Sequence, residues 1–91
     1  MKMINDFPKQ KQGVQTRYIG GETLLIDGER CHAINPPAAF VWNLCDGAHP
    51  LESIVSAIQA KFQIPLGTDL LFELNKILSD FKEKDLLGGD H

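Results

Sequence analysis

Cysteine is scarce in this chain: Cys31 and Cys45 are the two among 91 residues. Two thiols cannot build a disulfide framework or a four-ligand zinc site. A surplus of positive charge is missing too. Nine Lys and Arg against twelve Asp and Glu leave a net charge of −3, so a polyanion meets no general attraction. No apolar run approaches the roughly 18 residues of a membrane span. The start, Met1-Lys2-Met3-Ile4-Asn5-Asp6, lacks the apolar stretch of a secretory signal. The expected setting is therefore cytoplasmic, with free thiols. Motifs of catalysis are absent as well. His32, His49 and His91 stand far apart in the chain, and no His-x-x-x-His, Cys-x-x-Cys or clustered carboxylate spacing occurs. Gly20-Gly21 has neither the helix-opening glycines nor the Lys-Ser/Thr of a phosphate loop. His32 and Cys45 read as packing residues rather than ligands. No enzyme activity, metal or cofactor is expected.

What is present reads as one small globular domain. Hydrophobic residues make up 43% and charged residues 23%, which separates the chain from disordered sequences. A core of this size has little spare stability, so a working partner is expected. Residues 1–13 are polar and without period, which predicts a flexible arm. The domain proper runs over 14–87, and 88–91 should fray. Val14 to Ile19, Glu22 to Ile26 and Glu29 to Ile34 read as strands joined at Gly20-Gly21 and Asp27-Gly28. Asn35 caps a first helix that opens on Pro36-Pro37 and is apolar nearly all round to Cys45, hence buried. Asp46-Gly47 stops it. Leu51, Ile54, Val55, Ile58 and Phe62 form an amphipathic second helix, broken by Pro65 and Gly67. Thr68 should cap a third, with Asp69 in its first turn and Leu70, Leu71, Leu74, Ile77, Leu78 and Phe81 as its buried stripe. The predicted fold is α+β and winged-helix-like: a three-stranded antiparallel sheet followed by three helices.

That order raises DNA binding, in which a third helix enters the major groove. From Thr68 to Lys84, four acidic residues against three lysines leave −1, with no arginine to read guanine. Nucleic acid is therefore not the expected partner, nor is a membrane. The last strand offers another mechanism. Arg30, Cys31, His32, Ala33 and Ile34 form a short edge with one charge, weakly defended against pairing with another strand. An extended peptide could add there, mainly through backbone groups. Leu71, Phe72, Asn75 and Leu78 are the expected helix wall of the cleft beside it. Phe72 lies well round the helix from the buried stripe, and covers either a loop or a partner. The same edge could equally pair with its own copy in a homodimer.

From Ile34 the run Ile-Asn-Pro-Pro-Ala-Ala-Phe-Val-Trp, ending at Trp42, resembles the PqqD family. The likeness continues through Leu44, Asp46-Gly47, Leu51-Glu52, Ile54, Ile58, Phe62, Asp69, Leu74 and Leu78. It covers about Val14 to Leu87. The resemblance implies a non-catalytic, winged-helix-like peptide chaperone. Such a protein binds the leader of a ribosomally made precursor peptide as an added strand on the third strand, against the third helix. It presents that peptide to a radical SAM modifying enzyme, in the namesake pathway of pyrroloquinoline quinone biosynthesis. Three positions depart from the family pattern. Pro50 replaces a capping threonine, Asp85 replaces a glycine before the final leucines, and Pro37 follows Pro36 where a small polar residue is usual. A winged-helix DNA-binding protein or a structural adaptor is the alternative reading.

Overall fold

Six elements appear in a computed structural model, which describes residues 7–65 and 68–88. They are β1 (Gln15–Ile19), β2 (Glu22–Asp27), β3 (Arg30–Ile34), α1 (Pro36–Leu44), α2 (Leu51–Phe62) and α3 (Leu70–Glu83). The strands form one antiparallel sheet in the order β1-β2-β3, so the α+β order read from the sequence stands. The first hairpin closes on Ile19 and Glu22, with Gly20 and Gly21 both at positive φ, as a type I′ turn requires. The second turn sits one residue later than expected. Asp27 pairs with Arg30, so Gly28-Glu29 is the turn and only Gly28 (φ 64°) is left-handed. That places glycine first of the two turn residues, the type II′ arrangement.

α1 opens as its cap predicts: Asn35 Oδ1 accepts the Ala38 N–H at 2.9 Å, ahead of two prolines that have no N–H to satisfy. Its inner side buries Ala38, Val41 and Trp42. The Trp42 ring meets Phe81 of α3 edge to face at 5.3 Å, and its Nε1–H donates to Thr16 Oγ1 of β1 at 3.2 Å. One side chain thus joins sheet, first helix and third helix. Around it lie Leu25 from β2, Ile54 and Ile58 from α2, Leu74 and Leu78 from α3, and Leu86 beyond it.

The start of α2 is as expected, and the end of α2 and the start of α3 differ. Pro50 gives α2 no side-chain cap, and Glu52 in the first turn is left to meet the positive dipole end. α2 stops at Gln63, a non-glycine residue at φ 53°, before Pro65 is reached; Gly67 lies outside the described residues. Asp69, not Thr68, caps α3, its Oδ1 accepting the Phe72 N–H at 3.1 Å. Asp85 then takes the left-handed position (φ 60°) past α3. Leu86 N–H bonds Phe81 O at 2.9 Å and Asp85 N–H bonds Lys82 O at 3.0 Å. This is the Schellman closure that a glycine would favour, formed here at a residue that resists the conformation.

The segment expected to be a flexible arm is tied down from Pro8 to Lys11. Pro8 is buried, Gly47 N–H donates to Pro8 O, Gln10 N–H to Cys45 O, and Lys11 N–H to Leu86 O. Gly88 N–H donates back to Lys9 O. Polar side chains concealed this in the sequence, because the attachment uses backbone groups. Residues 1–6 and 89–91 lie outside the described residues.

Candidate functional site

β2 bonds only one side of β3. From the closing pair Asp27–Arg30, hydrogen-bonded pairs alternate, so Leu25–His32 and Thr23–Ile34 carry the ladder. The N–H and C=O of Cys31 and Ala33 therefore point away from β2. Among the described residues no strand receives them. β1 is also an edge, and its residues are all exposed.

β3 has a wall. At its start, Arg30 Nη2 donates to Lys84 O at 3.1 Å, a cation on the negative end of α3. Just beyond its end, Pro37 shares a crevice of about 280 Å³ with Glu73, Leu74 and Ile77 of α3 and with Ile58, Phe62 and Ile64. β3 and α3 therefore run in opposite senses, with the Lys84 end of α3 at the start of β3 and Glu73, Leu74 and Ile77 beside Pro37. Of the side chains on β3, Ile34 packs on the core, while Cys31 and Ala33 are exposed on the far face. His32 faces inward with its Nε2 buried and without a hydrogen-bond partner.

The helix residues expected beside this edge are dispersed. Leu78 is 1% exposed, inside the core. Leu71 lines a different groove, with Phe7, Pro50, Leu51 and Val55. Phe72 and Asn75 border a shallow outer groove with Lys76 and Ser79, and Phe72 is 57% exposed under the Lys76 ammonium at 5.6 Å. The structure thus keeps Arg30 to Ile34 together but does not bring those four to them. Ile77, read from the sequence as part of the buried stripe, is half-buried and lines the crevice beside Pro37.

Charge adds little chemistry. Asp46 is the carboxylate held below its usual range, by His49 at 2.9 Å first and by the Ala48 N–H. Both groups lie in the loop between α1 and α2, away from the edge. Burial, with Asp46 beside it, pushes the Cys45 thiol up to about 12, so it is a hydrophobe rather than a nucleophile. Among the described residues no group of His, Cys, Asp and Glu could hold a metal, and no helix is long and apolar enough to cross a membrane.

A three-stranded sheet with an open last strand, followed by three helices, defines a small winged-helix-like α+β domain. The chain belongs to the PqqD family: the family described as Coenzyme PQQ synthesis protein D (PqqD) matches residues 22–87. No curated protein matches it. Among solved structures, "TbiB1 in Complex with the TbiA(beta) Leader Peptide" is similar with a TM-score of 0.74 and 24% identity, covering 91% of this chain and 98% of that one. At that identity the likeness establishes the fold.

Proposed function

We propose that this protein is a non-catalytic partner protein that takes the leader of a ribosomally made precursor peptide as a fourth strand on β3. The observation that carries this reading is the open β3 edge, whose start is held to the end of α3 by the Arg30–Lys84 hydrogen bond. Membership of the PqqD family supports it, as does the likeness to TbiB1, whose structure is of a complex with a leader peptide. Cys31 and Ala33 supply the backbone pairing. The peptide is presented to a modifying enzyme of the radical SAM class, in the cytoplasm, with pyrroloquinoline quinone synthesis as the namesake case. α3 keeps its excess of acidic residues, which disfavours DNA.

The test is an NMR titration of labelled protein with a candidate leader peptide drawn from the neighbouring genes. Shifts centred on Arg30 to Ile34 and the facing side of α3 are expected, with little dependence on salt. Shifts confined to the outer groove at Phe72, or steep loss of binding with salt, would overturn strand addition.

A further inference from the structure

Leu25 is fully buried, so the pleat turns its neighbours Leu24 and Ile26 to the opposite side of the sheet. On that side the register gives three rows across the strands: Gln15, Ile26 and Cys31; Arg17, Leu24 and Ala33; Ile19 and Glu22. Ile19 is 57% exposed, Cys31 and Ala33 are exposed, and Leu24 and Ile26 are half-buried. This face is open, yet β2 reads Leu-Leu-Ile, apolar to both sides as in a strand covered on both faces. Arg17 and Glu22 border the apolar centre, and among the described residues neither takes part in an ion pair.

We propose that this face docks a second copy of the chain, across a two-fold axis running diagonally through Ile19, Leu24 and Cys31. Neighbouring strands are about 4.8 Å apart, and residues on one face repeat about every 6.8 Å along a strand. On that lattice the diagonal axis sets Leu24 on Leu24 and Ile26 against Ala33 of the other copy. It also sets Arg17 against Glu22 of the other copy, twice. The strands of the two sheets cross steeply, as in orthogonal sheet packing. A charge pattern that complements itself under a two-fold operation selects a second copy over an unrelated protein. The backbone edge of β3 stays free, so this pairing does not compete with strand addition and does not depend on it.

The face is about 10 Å wide and about 17 Å long, well short of the roughly 800 Å² per partner of a standard interface. The pair is therefore weak. Sedimentation equilibrium of the full chain from about 10 µM to about 1 mM tests it. The average mass should climb from 10.1 kDa toward twice that value. Arg17→Glu and Glu22→Arg should each weaken association about tenfold, and the double reversal should restore it. Leu24→Asp should leave a monomer. A short bis-maleimide should link Cys31 to Cys31, since sheets stack about 10 Å apart and Cys45 is buried. A chain that remains monomeric at about 1 mM overturns the proposal. So does a dimer indifferent to both charge reversals, which would place the contact elsewhere.

Discussion

Proline at position 33 is the sharpest perturbation of the β3 edge. Cys31 and Ala33 present two N–H and two C=O groups away from β2, a consequence of the pairing set by Asp27–Arg30. Four hydrogen bonds at ~0.5–1.5 kcal/mol net each would contribute on the order of 2–6 kcal/mol to holding a peptide. Ala33→Pro deletes one donor and leaves the incoming carbonyl unmatched, which costs about 1–3 kcal/mol, or roughly 5- to 150-fold in affinity. It leaves the β2–β3 ladder intact, because the Ala33 N–H takes no part in it, and proline is tolerated at such an edge position. His32→Pro is the control. It removes the donor opposite Leu25, breaks the ladder and lowers Tm. Calorimetric titration with the leader peptide, alongside thermal melts followed by circular dichroism, reads both. A folded Ala33→Pro protein that binds with unchanged Kd would refute the strand-addition argument, since no other route removes that donor from consideration.

Other residues give independent checks. Asp85→Gly relieves a left-handed residue at φ 60°. The relief of about 1 kcal/mol outweighs the extra unfolded-chain entropy of glycine, so a gain of about 0.5 kcal/mol and ~2–4 °C in Tm is expected despite loss of the exposed Lys11 pair. A lower Tm would mean that the Lys11–Asp85 contact governs that corner. Thr16→Val leaves the Trp42 indole N–H without its acceptor and should destabilise by about 1–3 kcal/mol in urea melts followed by the fluorescence of the single tryptophan. Iodoacetamide at about pH 8 should modify Cys31 alone in the native chain and both cysteines in urea, because Cys45 is buried with its thiol raised to about 12. Since that shift disfavours the thiolate, raising the pH toward 12 is what would expose Cys45 to reaction. Two adducts on the native protein by mass spectrometry would contradict the burial.

Much of the fold was legible because it rests on local chemistry. Glycines at 20, 21 and 28 supply the positive φ angles of two tight turns, and so three strands in a meander. Asn35 followed by two prolines announces α1. The stripe Leu51, Ile54 and Ile58 announces α2, and Leu70, Leu74, Leu78 and Phe81 announce α3. Register was misread by one residue at Asp27-Gly28, because glycine suits either central position of a tight turn. The cap of α3 was misplaced by one because Thr68 and Asp69 are both good caps; only the backbone geometry chose Asp69.

The residues of this chain by themselves determined the element order, the apolar faces and the existence of a poorly defended last strand, all consequences of periodicity and turn chemistry over a few neighbours. Tertiary structure alone decided the rest. It pinned Pro8 to Lys11 between α1 and the Leu86–Gly88 return through backbone hydrogen bonds, which carry no side-chain signature. It left Leu71, expected in the buried stripe, exposed in a groove with Phe7 and Pro50, and set Glu73 and Ile77 beside Pro37. The rotation of a helix against a sheet is set by how both pack on a third body, here Trp42 and Phe81, and no local pattern within α3 records where that body sits.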